Sequence, residues 1–124
     1  MYNFQLIPNE KVFLITMGGL ITDQESHKYL EDLLRKLKAF NTAEYYLVID
    51  TQELKASQQE MLGQVKKGIE LLVATPFKGR YNIISKNHIT TMQANRIAHE
   101  ALTQITPVKS YDEFLITRNL HKAV

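Results

Sequence analysis

The fold of this chain is decided by the stretch YYLVIDTQELKASQQE, residues 45–60. Its first five residues are almost continuously apolar, which is typical of a strand covered on both faces of a sheet. Ser57 and Glu60 then have the spacing of a capping box, in which the hydroxyl accepts from the first helical turn and the carboxylate reaches back to the cap. The stretch therefore predicts a buried strand, a short connection and a helix beginning at Ser57.

The same order of strand and helix recurs on both sides of this stretch. Three further capping boxes precede runs of apolar residues at helical spacing, and two of them follow strand-like segments. The boxes are Thr22 to Glu25, Thr90 to Gln93 and Ser110 to Glu113. We expect a helix to begin within a few residues of each, with Met61 and Met92 packed in the core.

The two ends of the chain complete the sheet. Segments 4–7 and 11–16 flank a turn at Pro8 and Asn9, which predicts an antiparallel hairpin. Near the other end, Val108 follows Pro107, which cannot donate to a central ladder and so indicates a short edge strand. Strands that alternate with helices pair in parallel through right-handed crossovers. The prediction is one α/β domain over residues 1–124, a mixed sheet of about five strands with about four helices.

Composition excludes several classes of protein. A chain of 124 residues can bury a core without a metal or disulfide, and the absence of cysteine removes thiol nucleophiles and thiolate metal sites. With 15 basic and 13 acidic residues, the formal charge of +2 gives no strong field for nucleic acid or an anionic membrane. No apolar stretch approaches the roughly 20 residues of a membrane span. We therefore expect a soluble cytoplasmic protein without a nucleic-acid partner.

The residues that could carry chemistry are scattered. Asp50 ends the predicted central strand, at the side of an α/β sheet where ligands bind, but a single Asp there more often orders its own loop. No acid–base pair, nucleophile dyad or cofactor fingerprint is present, and the Gly18-Gly19 pair is interpreted as a turn or bulge. The histidines lack short metal-ligand spacing and stand at positions 27, 88, 99 and 121. We predict no catalytic residue, metal or cofactor.

The order of elements resembles the STAS superfamily, in particular its SpoIIAA-like branch. The resemblance covers almost the whole chain, and its local carriers are VFLI at 12–15 with GGLIT at 18–22, YLVID at 46–50, and VKSYDEFL at 108–115. It implies a hairpin that leads into strand–helix units, followed by a short late strand and a terminal helix. Related folds include lipid-carrier domains of the Sec14 type.

The resemblance also implies a function, a non-enzymatic regulatory or protein-interaction module. Classical anti-sigma factor antagonists of the superfamily carry an acidic residue, a phosphorylated Ser or Thr, another small hydroxyl residue and Gly at the start of the second helix. Here Ser57 supplies the hydroxyl, whereas Lys55 and Gln59 stand near it without the acid and the Gly. The candidate interaction residues are Asp50, Thr51, Lys55 and Ser57. A protein partner is expected; a homodimer and a small apolar ligand or lipid, held between helices and sheet, remain alternatives.

Overall fold

A computed structural model describes residues 1–55 and 62–122. The strands are β1 (Tyr2–Ile7), β2 (Val12–Gly19), β3 (Tyr46–Leu54), β4 (Gly79–Ile83) and β5 (Thr106–Val108). The helices are α1 (Asp23–Leu37), α2 (Leu62–Ala74), α3 (His88–Leu102) and α4 (Tyr111–Lys122), and a 3-10 turn spans Thr42–Glu44.

The five strands form one sheet in the order β1-β2-β3-β4-β5. β1 pairs antiparallel with β2, and every later neighbour pairs in parallel. The mixed α/β architecture predicted from the sequence is therefore confirmed, with the apolar segment of β3 at the centre. Pro107 lies in β5, at the side of the sheet where a missing N–H removes no bond from a central ladder.

The alternating side chains of the strands build a core on each face of the sheet. One face packs against α1, α2 and α3 through the buried residues Phe13, Ile15, Tyr29, Leu33, Leu47, Ile49, Leu72 and Ile105. The other face surrounds Phe114 of α4 and contains the buried residues Val12, Tyr46, Val48, Tyr81, Ile83 and Val108. Among the described helices, α4 alone packs on this second face.

Two of the predicted capping boxes start their helices. Thr22 Oγ1 accepts from Glu25 N at 3.1 Å, and Glu25 Oε1 accepts from Thr22 N at 3.4 Å, so α1 begins as predicted. Ser110 Oγ accepts from Glu113 N at 3.1 Å at the start of α4. The Glu113 carboxylate reaches one residue further than in a standard box, to Lys109 N at 3.2 Å.

A helix begins within a few residues of the Thr90 box, as predicted, but Thr90 is not its cap. α3 begins at His88, because Asn87 Oδ1 already accepts from Ile89 N at 2.9 Å and caps the first turn earlier in the chain. Thr90 therefore lies inside the helix. The Ser57 box lies outside the described residues.

The central strand is also longer than predicted. Asp50 does not end β3, which continues to Leu54. The reason lies in β2, whose register shifts between Thr16 and Gly18 and then keeps pairing with β3 as far as Gly19. The Gly pair accordingly forms part of an irregular strand end, and Gly19 adopts a φ of +67°, which suits glycine.

Candidate functional site

The carboxyl ends of β2, β3 and β4 meet along one side of the sheet, where open α/β folds bind ligands. We call this region the carboxyl edge; it comprises residues 20–21, 54–55 and 84–87 and the start of α3 at 88–92. Backbone hydrogen bonds tie its loops together, from Lys55 N to Gly19 O at 3.1 Å and from Lys86 N to Gln52 O at 3.2 Å. The edge is thus a surface made from three separate parts of the chain.

Asp50 lies just below this edge, and its side chain accepts hydrogen bonds from a residue of the same strand. Its Oδ1 accepts from Gln52 N at 3.1 Å and from Gln52 Nε2 at 3.2 Å. The side chain is half-buried on the face of the sheet that carries α4. Within residues 1–55 and 62–122, no three His, Asp or Glu side chains come together as a metal site. Asp50 therefore has a structural hydrogen-bonding role in the strand.

Thr51 joins β3 to β4. Its hydroxyl donates to Ile83 O at 2.9 Å and accepts from Asn82 Nδ2 at 3.0 Å, while the same amide donates to Ile49 O at 2.9 Å. Sequence reasoning did not identify Asn82, although a polar residue inside the strand-like segment YNII is a signal. The Thr51 and Asn82 side chains hold β3 and β4 together near the ends of these strands, where the chain leaves the sheet.

Other polar groups of the carboxyl edge are engaged in the same way. Ser85 Oγ donates to Leu54 O at 3.0 Å and accepts from Asn87 N at 3.0 Å, while Asn87 caps α3. Lys86 Nζ lies 2.9 Å from Glu53 Oε1, with both side chains more than 70% exposed, so this ion pair contributes little to stability. Polar side chains here hold loops and helix starts in place.

Of the two remaining candidate residues, Lys55 and Ser57, the structure describes Lys55. The Lys55 side chain is exposed at the carboxyl edge, directly after β3. Ser57 lies outside the described residues. The structure thus places Asp50, Thr51 and Lys55 on one continuous segment of β3 and its exit.

The carboxyl edge carries large apolar side chains that face solvent. The exposed fractions are 59% for Leu20, 39% for Ile84, 60% for Ile89 and 59% for Met92. The prediction that Met92 packs in the core is therefore wrong, since α3 turns this residue outward. The sequence signal for Ile89 and Met92 is their spacing of three residues, which places both on one side of the helix.

The basic segment at residues 78–80 has a structural role at the other end of the sheet. Arg80 donates to Leu72 O at 3.0 Å, to Val73 O at 2.9 Å and to Thr75 O at 2.6 Å. These carbonyls belong to the last turn of α2 and the residue after it, which helix geometry leaves without intrahelical partners. Arg80 therefore caps α2 through contacts that sequence spacing does not reveal.

A small cavity lies far from the carboxyl edge, between the hairpin and the end of α1. Its volume is about 110 Å³, and it is lined by Phe4, Gln5, Leu6, Phe13, Lys36, Ala39 and Phe40. Pockets for drug-sized ligands are usually about 300–1,000 Å³. This cavity is smaller than such pockets. It does not lie between the first two helices and the sheet.

The hairpin turn and α4 are joined by a cluster of polar side chains. Tyr111 Oη donates to Glu10 Oε2 at 2.9 Å, and burial together with this hydrogen bond raises the pKa of Tyr111 to about 12. The Arg118 guanidinium lies 5.5 Å from the ring centre of Tyr46 and 5.3 Å from that of Phe114, and it also donates to Glu10 O. The cluster fastens the terminal helix to the β1–β2 turn.

No protein-family model, curated protein or solved structure matches this chain. The resemblance to the STAS superfamily accordingly stays a prediction from element order and local segments. None of the helices within residues 1–55 and 62–122 has the length and apolar character that a membrane crossing requires.

Proposed function

We propose that this protein is a non-enzymatic interaction module of STAS-like type, which binds a protein partner through its carboxyl edge. The observation that carries the proposal is the exposure of Leu20, Ile89 and Met92, each about three-fifths accessible to solvent, around the ends of the parallel strands. Large apolar side chains that gather on one surface mark sites of protein interaction.

The neighbouring polar groups support binding of a protein partner through apolar and charged contacts. Asp50, Thr51, Ser85 and Asn87 direct hydrogen bonds into the fold. Among the described side chains of this edge, Leu20, Ile89, Met92 and Lys55 face solvent, and Lys86 forms a solvent-exposed ion pair with Glu53. A partner that fits this surface has an apolar centre with acidic residues at its rim, because buried apolar contacts and complementary charges favour association.

The proposal is tested by affinity purification from the native host with variants of matched exposure. Leu20→Ser and Ile89→Ser remove apolar contacts from the carboxyl edge. Ile116→Ser is the control, because Ile116 is 63% exposed on α4, a different part of the surface. We expect the wild type and Ile116→Ser to retain the same proteins, and the two edge variants to lose them with unchanged melting temperatures. Equal retention by all four proteins would contradict the proposal.

Ser57 decides whether the interaction is regulated by phosphorylation. If it caps α2, Ser57→Ala lowers the free energy of unfolding by about 0.5–2 kcal/mol, and Ser57→Asp is tolerated because Asp is also a good cap. If it is a phosphoswitch, the two variants change partner binding in opposite directions at similar stability. Because the acid and Gly of the family's phosphosite are absent, we expect the first result. Phosphopeptide mapping of protein from the native host, together with thermal melting, distinguishes the two.

The second candidate function is that of a carrier for a small apolar ligand. The cavity beside Phe4, Phe13 and Phe40 favours it, because its lining is mainly aromatic and aliphatic. A volume of about 110 Å³ admits only part of an acyl chain unless the end of α1 moves. Native mass spectrometry of protein purified without detergent tests this function. Retention of a lipid by the wild type and its loss in Phe40→Trp, which fills the cavity, would support the carrier.

A further inference from the structure

The two lateral edges of the sheet differ in how they are protected. At one edge, β5 has three residues, one of which is Pro107. At the other edge, β1 has six residues, YNFQLI, without a charge, a proline or a glycine, and its register with β2 is unbroken. Natural sheets block pairing at exposed edges with short strands, charges, prolines or bulges. β1 has none of these devices.

The backbone groups that β1 presents outward follow from its pairing with β2. Met1 N donates to Gly18 O at 3.0 Å and Gly18 N donates to Met1 O at 2.9 Å, so these residues form a hydrogen-bonded pair. In an antiparallel ladder such pairs alternate with pairs whose N–H and C=O groups point to the far side of each strand. The outward groups of β1 therefore belong to Tyr2, Phe4 and Leu6.

We propose that β1 pairs antiparallel with β1 of a second copy of this chain, about a two-fold axis at Phe4, so that one sheet continues across a homodimer. In this register Tyr2 lies opposite Leu6 of the second copy and Phe4 lies opposite itself. Each of these pairs joins outward-facing N–H and C=O groups, so every outward backbone group of the strand obtains a partner.

The side chains of β1 match a second copy as well as the backbone does. A two-fold axis perpendicular to the sheet keeps each face on its own side, so Tyr2, Phe4 and Leu6 meet one another and Asn3 meets Gln5. Leu6 is 40% exposed in the isolated chain, and with Phe4 it lines the cavity of about 110 Å³ beside this edge. The second copy would cover this apolar surface with its own aromatic and aliphatic side chains.

Electrostatics do not oppose the pairing. β1 itself carries no charged side chain. The rim of α1 above it carries both signs, since Asp32 contacts Tyr2 and Lys36 lines the cavity with Phe4. A second copy therefore meets no field of a single sign, and the formal charge of +2 adds little repulsion.

Charge variants at two exposed positions test the proposal in solution. Asn3 of one copy lies opposite Gln5 of the other, and both side chains are exposed. Asn3→Lys with Gln5→Lys places like charges across the interface, whereas Asn3→Lys with Gln5→Glu places opposite charges there. By sedimentation at micromolar concentrations, we expect a dimer for the wild type, at least tenfold weaker dimerisation for the first variant, and a dimer for the second.

Cross-linking tests the register, because the chain has no cysteine of its own. Under oxidation, a mixture of Asn3→Cys and Gln5→Cys proteins should form a covalent dimer that neither protein forms alone. A monomeric wild type, equal dimerisation of both charge variants, or cross-linking of Gln5→Cys alone would overturn the proposed pairing. Ile89→Ser should leave the dimer intact, so the result is independent of the proposed partner site at the carboxyl edge.

Discussion

At the scale of single residues, two tyrosines hold the hairpin to helices on opposite faces of the sheet. Tyr2 Oη donates to Asp32 Oδ2 of α1 at 2.6 Å, and Tyr111 of α4 donates to Glu10 in the hairpin turn. The hydrogen bond to Asp32 and then burial raise the pKa of Tyr2 to about 12. For Tyr111, burial comes first and the bond to Glu10 second. Each phenol is thus kept protonated by the contact it makes.

These raised pKa values predict a loss of stability in alkali. A tyrosine in the unfolded chain ionises near about pH 10, so both contributions are complete below that pH and decrease as the pH rises from about 10 to about 12. Tyr111→Phe removes one of them, and the fall in melting temperature across this range should become shallower than in the wild type. Thermal melting at a series of pH values measures the two slopes. Parallel curves would show that Tyr111 does not contribute.

At the scale of elements, α3 is capped by Asn87 and not by Thr90. Asn87 accepts from Ile89 N, whereas Thr90 lies within the helix. Asn87→Ala should lower the free energy of unfolding by about 0.5–2 kcal/mol, the usual loss for an N-cap. Thr90→Ala should lower the free energy of unfolding by less than Asn87→Ala does, since Ala has a higher helix propensity than Thr. Urea denaturation compares the variants, and a larger loss at Thr90 would contradict this assignment.

The central strand gives a second prediction at this scale. Leu47 has no exposed surface and Ile49 is 8% exposed, and both belong to the core under α1–α3. Truncation of either to Ala should reduce the free energy of unfolding by about 2–5 kcal/mol, through lost burial and an unfilled cavity. Leu20→Ala is the control, because a side chain that is 59% exposed has little burial to lose. A loss below about 1 kcal/mol at both core sites would be incompatible with their burial.

At the scale of the whole molecule, the sheet is covered unequally. Three described helices pack on one face, and α4 alone packs on the other, through Phe114, which has 0% exposed surface. Its ring meets Tyr81 at 4.9 Å and Tyr46 at 6.0 Å between ring centres, both edge to face. Among the described helices, this core therefore depends on α4, with Phe114 fully buried and Tyr111 and Leu115 partly buried against it.

Phe114→Ala should consequently destabilise the molecule by about 3–5 kcal/mol, the usual range for a buried aromatic side chain. We also expect increased binding of the dye ANS, because detachment of α4 uncovers the apolar cluster around Val48 and Tyr81. Ile116→Ala, on the same helix but 63% exposed, should change neither quantity. Unchanged ANS binding in Phe114→Ala would mean that α4 stays docked without its central side chain.

Local patterns along the chain are sufficient to predict the order and type of the elements. The apolar run at 45–49, the caps at Thr22 and Ser110 and the hairpin turn at Pro8 are all read within a few residues of the chain. Such signals are reliable because they depend on local physics. A hydroxyl caps an N–H three residues away, and strand and helix periods arrange side chains over the same short distances.

The details of the candidate site depend on contacts that form when distant segments fold together. β3 extends beyond Asp50 because β2 keeps pairing with it, and Arg80 caps α2 because folding brings the carbonyls of that helix to its guanidinium. Leu20 and Met92 are exposed for a similar reason, since burial depends on which distant elements cover a residue. These outcomes depend on contacts between segments far apart in the chain. Composition and the spacing of residues within a short segment do not reveal such contacts.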